Sequence, residues 1–76
     1  MKDVSSFVNE VLFLEMRIFN EFLQKHGMQP SKANRLFENN GLWKFIEDNY
    51  DVLQMNGDEY VLDDVEYILR KKGVLA

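Results

Sequence analysis

The sequence contains no cysteine, which excludes a disulfide framework and any Cys-based zinc site. Its one histidine, His26, cannot build a His-rich metal site. No stretch approaches ~20 apolar residues, so no helix is expected to span a membrane. Met1 to Leu14 is interrupted by Asp3 and Glu10, which leaves no h-region for a signal peptide and points to the cytoplasm. A P-loop, a Gly-rich dinucleotide motif and a Ser–His or Cys–His nucleophile arrangement are all missing. The calcium-loop ligand order fails as well, since the third and fifth positions from Asp51 are Leu53 and Met55. No catalytic residue, cofactor or metal is therefore expected, and the chain does not read as an enzyme.

What is present is 76 residues with 46% apolar content, enough for one small domain and too little for a nucleotide-binding α/β fold or a barrel. A chain of this length buries only roughly 60% of its unfolded surface, so self-association is the leading candidate for extra stabilisation.

The pattern predicts a mainly α fold, a small four-helix domain with a short β-hairpin between helices 3 and 4. Val4, Phe7, Val8, Val11, Leu12, Ile18, Phe19, Phe22 and Leu23 recur at three- and four-residue steps, which predicts a first helix over about 4–26. Asp3, Ser5 and Ser6 offer N-cap oxygens and Gly27 a C′ stop. Such a helix is roughly 33 Å long. Its apolar arc is about 200° wide, running from Leu14 through Val11 and Val8 to Leu23 and Met16. One-sided packing needs less, so the helix is either central or shared with a partner. Pro30 opens a second helix over about 30–39 with Ala33, Leu36 and Phe37 on one face, and Gly41 ends it. A third is predicted over about 42–49. The hairpin is predicted over about 52–62, because Asn56-Gly57 lies between two short apolar runs. A last helix over about 63–72 follows, with Asp63 and Glu66 spaced as a capping box and Arg70, Lys71 and Lys72 at its negative end.

Two surfaces stand out as candidate sites. Leu12, Phe13, Glu15, Met16 and Phe19 form a candidate interface on the first helix. Phe13 and Met16 make a second apolar strip that is either core or an exposed interface patch. Glu15 sits near the centre of the apolar arc, where an unpaired carboxylate costs several kcal/mol. It either reaches an edge and pairs with Arg17, Lys32 or Arg35, or faces a partner and fixes the register of an assembly. Catalysis by this lone carboxylate lacks a second acid, base or nucleophile placed near it.

The second surface is acidic. Thirteen acids against nine bases give a formal charge of −4, and eight of those acids fall between Phe45 and Leu69 without a Lys or Arg. Glu47, Asp48, Asp51, Asp58 and Glu59 form a candidate acidic partner surface, the alternative being a solvated face. His26, at a helix end, reads as a surface cap rather than a catalytic group.

The helix–Gly41–helix segment followed by a hairpin also resembles a winged helix-turn-helix DNA-binding regulator. The would-be recognition helix carries Trp43, Lys44, Glu47 and Asp48, so carboxylates would face phosphates, and nucleic acid is not the expected partner. A protein partner or a homodimer is.

The run Leu36-Phe37, Gly41-Leu42, Phe45-Ile46, Tyr50-Asp51-Val52-Leu53, Gly57, Tyr60-Val61, Asp64-Val65, Leu69 and Gly73 resembles a family of short bacterial domains of unknown function. The likeness covers nearly the whole chain and is carried by apolar, structural positions. This sequence departs at Gln54, where members often have histidine. Such domains are sometimes encoded beside genes for proteins resembling ADP-ribosyltransferases, and the resemblance implies a small accessory or antitoxin-like protein. It transfers no catalytic residue.

Overall fold

A computed structural model describes residues 4–75, and among them there are five helices and no strand. Helix α1 covers Val4–His26, α2 Pro30–Asn39, α3 Leu42–Asp48, α4 Tyr50–Leu53 and α5 Asp58–Lys71. The first two coincide with the predicted spans, and α3 ends one residue short. The N-cap candidates Asp3, Ser5 and Ser6 lie outside the residues whose side chains are described. No helix is long and apolar enough to cross a membrane among the described residues.

The helix stops are chemically explicit. Pro30 occupies the first turn of α2, where its missing N–H costs nothing. Gly41 adopts φ 68°, a left-handed conformation that a side chain would strain, and so turns α2 into α3. Three asparagines close successive helices in one way. The side-chain amides of Asn40, Asn49 and Asn56 donate to the carbonyls of Leu36, Phe45 and Val52, each four residues earlier, at 2.8, 2.8 and 3.1 Å. Each of these carbonyls also accepts a backbone N–H, from Asn40, Asn49 and Met55 respectively, so the amide is a second donor that fastens the asparagine to the turn it ends.

The predicted β-hairpin over 52–62 is overturned. Tyr50–Leu53 forms one helical turn and α5 begins at Asp58, not near 63. A two-residue Asn-Gly hairpin needs positive φ at both central residues, yet Gly57 has φ −72° and ψ 161°. That extended conformation is the N-cap of α5, and Asp58 and Glu59 lie in its first turn, beside the positive end of the dipole. Val61, Leu62, Val65 and Leu69 are all buried, a helical spacing that a two-residue period cannot bury together. The capping box falls with the hairpin. Asp63 is exposed within α5, while Glu66 is 1% exposed and lies in its core stripe. Without a hairpin, the winged helix-turn-helix reading has no wing among the described residues.

The core takes a narrow stripe of α1, Val11, Leu14, Ile18 and Phe22, and sets it against α2, α3 and α5. Phe37 of α2 is its aromatic hub. Its ring lies 5.1 Å from Phe22, 5.3 Å from Phe19 and 4.8 Å from Trp43, close to edge-on to the first two. Such pairs add about 1 kcal/mol each beyond simple burial. At 100° per residue, Val8, Phe19, Leu12, Leu23 and Met16 form the strip next to that stripe. Phe19 and Leu23 pack on the core, whereas Val8, Leu12 and Met16 stay exposed. The wide arc is thus buried toward its C-terminal end and open toward its N-terminal end.

Candidate functional site

The open part of α1 faces α3 across two adjoining grooves. One, of about 310 Å³, is lined by Phe7, Val8, Val11, Leu12, Glu15 and Glu47. The other, of about 390 Å³, is lined by Leu12, Glu15, Met16, Phe19, Trp43 and Glu47. Leu12, Glu15 and Glu47 belong to both, so the two carboxyl groups lie where the grooves meet. Periodicity explains the placement. Leu12 lies one helical turn before both Glu15 and Met16, which lie one turn before Phe19, and Trp43 and Glu47, four apart on α3, rise opposite them.

Glu15 is 6% exposed and does not reach Arg17, Lys32 or Arg35. Burial pushes its carboxyl up to about 7; the Glu47 charge and a hydrogen bond between the two side chains push it the same way. With Glu15 protonated, its O–H donates to the Glu47 carboxylate, and no buried side-chain polar atom lacks a partner among the described residues. The arrangement can hold or release one proton close to neutral pH. A metal is a different matter, since the described residues include no group of three or more His, Cys, Asp or Glu able to hold one.

Four of the five candidate interface residues, Leu12, Glu15, Met16 and Phe19, meet in one groove. Phe13 lies farther round α1 and is 58% exposed. The five candidate acidic residues separate. Glu47 turns into the grooves, and Asp48 pairs with Lys44 on its own helix at 3.5 Å. Asp58 receives two hydrogen bonds from Arg17 of α1, Nε at 2.8 Å and a terminal nitrogen at 3.4 Å. Asp51 and Glu59 stay exposed. The acids of the second half are thus partly neutralised by cations elsewhere in the chain.

Sequence reasoning missed two features. Trp43 and Glu47 were not joined to the interface, because nothing local ties α3 to α1. A second cluster lies at the far end of α1, where Glu66 accepts hydrogen bonds from Lys25 Nζ at 2.9 Å and His26 Nε2 at 2.6 Å. Burial pushes the Glu66 carboxyl up, but the hydrogen bonds and charges of Lys25 and His26 overcome it and hold the group below its ordinary value. An ionised carboxylate only accepts, so Nε2 is the protonated nitrogen of His26. His26 is half-buried, its ring tilted against Phe22 at 4.5 Å, and serves as an interhelix tie rather than a surface cap. A signal for this existed in Leu62-Val65-Glu66-Leu69, an acid inside an apolar stripe.

Fold and site together define a small all-helical domain with an open apolar helix face over a carboxyl pair. Residues 14–72 match the family described as a protein of unknown function, DUF3791, and the chain belongs to that family. The matched segment includes Glu15, Met16, Phe19, Trp43 and Glu47. No curated protein and no solved structure matches the chain.

Proposed function

We propose that the domain is a protein-interaction module that pairs with a second copy of itself through the N-terminal half of α1. The observation that carries this reading is the exposure of Val8, Leu12, Phe13 and Met16 on one helix, at 47%, 48%, 58% and 59%. Exposed apolar residues clustered in this way mark contact surfaces, and Met and aromatic residues are enriched at interface centres.

Charge favours a second copy as the occupant. Residues 8, 9, 12, 13, 16 and 20 are Val, Asn, Leu, Phe, Met and Asn, so the exposed crest carries no charge in a chain that is 29% charged. Two copies of net charge −4 repel at long range, but this crest sets no charged side chain of its own against its counterpart. Val8, Leu12 and Met16 are also evenly spaced about Leu12. An antiparallel two-fold contact sets Leu12 against itself and Val8 against Met16, the self-complementarity that an isologous dimer requires.

On this reading the protein works in the cytoplasm and by contact rather than catalysis. An accessory, antitoxin-like part beside an ADP-ribosyltransferase-like protein fits such a module. Sedimentation equilibrium over a micromolar to millimolar range tests the pairing. The wild type is expected to dimerise, and L12S/M16S to remain monomeric with unchanged helicity. A wild type that stays monomeric throughout overturns the reading.

A further inference from the structure

The carboxyl pair lies beneath the surface that the second copy covers. Both members line both grooves, whose remaining walls are Phe7, Val8, Val11, Leu12, Met16, Phe19 and Trp43. No lysine or arginine lines either groove. The charged groups nearby on each packed element are already engaged. On α1, Arg17 is turned to Asp58 of α5, and Glu10 accepts the Tyr50 hydroxyl of α4 at 3.5 Å. On α3, Lys44 is set against Asp48, which leaves Glu47 as the titratable group facing Glu15.

We infer that the Glu15–Glu47 pair makes self-association proton-coupled: the second copy removes water from both carboxyls, and the closed interface keeps one proton shared between them. This rests on the self-association reading and adds its regulation. Two ionised carboxylates in contact within a dry apolar groove have neither water nor a cation to offset their repulsion. One proton, held by Glu15 and donated to Glu47, removes one of the two charges and supplies a hydrogen bond.

The direction follows from linkage. Below about 7 the Glu15 carboxyl of the free protein already carries its proton, and association takes up none. At higher pH each protomer must draw one proton from solvent to close the interface. Affinity therefore falls as pH rises, by up to about tenfold per pH unit for each pair.

Sedimentation equilibrium at about pH 6 and about pH 8, on wild type, E15Q and E47Q, is the test, with far-UV circular dichroism on each sample. The wild-type dissociation constant is expected to rise at least about tenfold between the two conditions. In E15Q the amide takes the place of the protonated carboxyl, and the constant is expected to stay level. E47Q, changed at the exposed member of the pair, is expected to show a reduced slope. A wild type that dimerises equally at both pH values overturns the inference and leaves the dimer standing, as does E15Q with the wild-type slope. Absence of a dimer in every protein at both pH values overturns the reading beneath it.

Discussion

His26, the last residue of α1, meets Glu66, near the middle of α5, with Nε2 and Oε2 2.6 Å apart. Lys25 reaches the other oxygen at 2.9 Å, so one buried carboxylate ties the two helices at this end of the domain. E66Q is expected to cost about 2 kcal/mol at neutral pH, since the amide keeps one acceptor oxygen for half-buried His26 but loses the charge and the second oxygen, and Lys25 returns to water. The Glu66 carboxyl lies below its ordinary value, so its contribution is complete above the ordinary carboxylate range and fades as pH falls through the lower, folded-state value. Urea denaturation as a function of pH is expected to show this acid-side loss in the wild type and not in E66Q.

Glu15 acts with the opposite sign. Its folded carboxyl titrates at about 7 against an ordinary 4.5, so the folded chain keeps a proton that the unfolded chain has released. The group's contribution is fully present below 4.5, declines as pH rises, and levels off above about 7. E15Q is expected to be more stable than wild type at about pH 8, by up to about 3 kcal/mol, with the difference shrinking toward about pH 4. Thermal melts of dilute samples at the two pH values check it. A larger advantage for E15Q at the acid end contradicts the assignment.

Gly57 separates the helical structure from a hairpin. It caps α5 in an extended conformation without a side-chain hydrogen bond, and a Cβ there meets nothing within 4 Å. G57S supplies a capping oxygen and stiffens the unfolded chain, and is expected to stabilise by about 0.5 kcal/mol. At Gly41, where φ is 68°, G41A is expected to cost about 1 kcal/mol instead. Were 56–57 the centre of a hairpin, both substitutions would destabilise. Paired denaturation curves decide between the two.

Phe37 joins α2 to the aromatic side chains of α1 and α3. It is fully buried against Phe19, Phe22 and Trp43. F37A is expected to cost about 3–5 kcal/mol, comparable to the whole stability of a domain this small, and to leave much of the chain unfolded at 37 °C. F37L, which keeps volume, is expected to cost about 1–2 kcal/mol and to retain the helical circular dichroism signal.

The helices with strong punctuation were legible in the sequence. Gly27, Pro30 and Gly41 act within a residue or two of where they stand, and α1 and α2 follow from them. Asn56-Gly57 misled because one dipeptide serves two geometries. In this chain the Asn56 amide returns to Val52, and Asp58, Glu59 and the 61-62-65-69 spacing favour a helix over a strand. Placing the last helix too late then made Glu66 a capping residue and hid its burial. Half of the candidate site was readable on a helical wheel, since Leu12, Glu15, Met16 and Phe19 share one side of α1. The α3 half was not. The approach of Trp43 and Glu47 depends on how two helices cross, which local periodicity does not specify.

Trp43 is the single tryptophan of the chain, and it stands half-buried in the wall of the groove that Leu12, Met16 and Phe19 share. Whatever enters that groove must strip water from the exposed part of the indole, the rest of which packs on Phe19 and Phe37. The domain thus carries its own optical indicator: tryptophan emission reads occupancy of the α1–α3 groove directly, with no label attached to the surface under study.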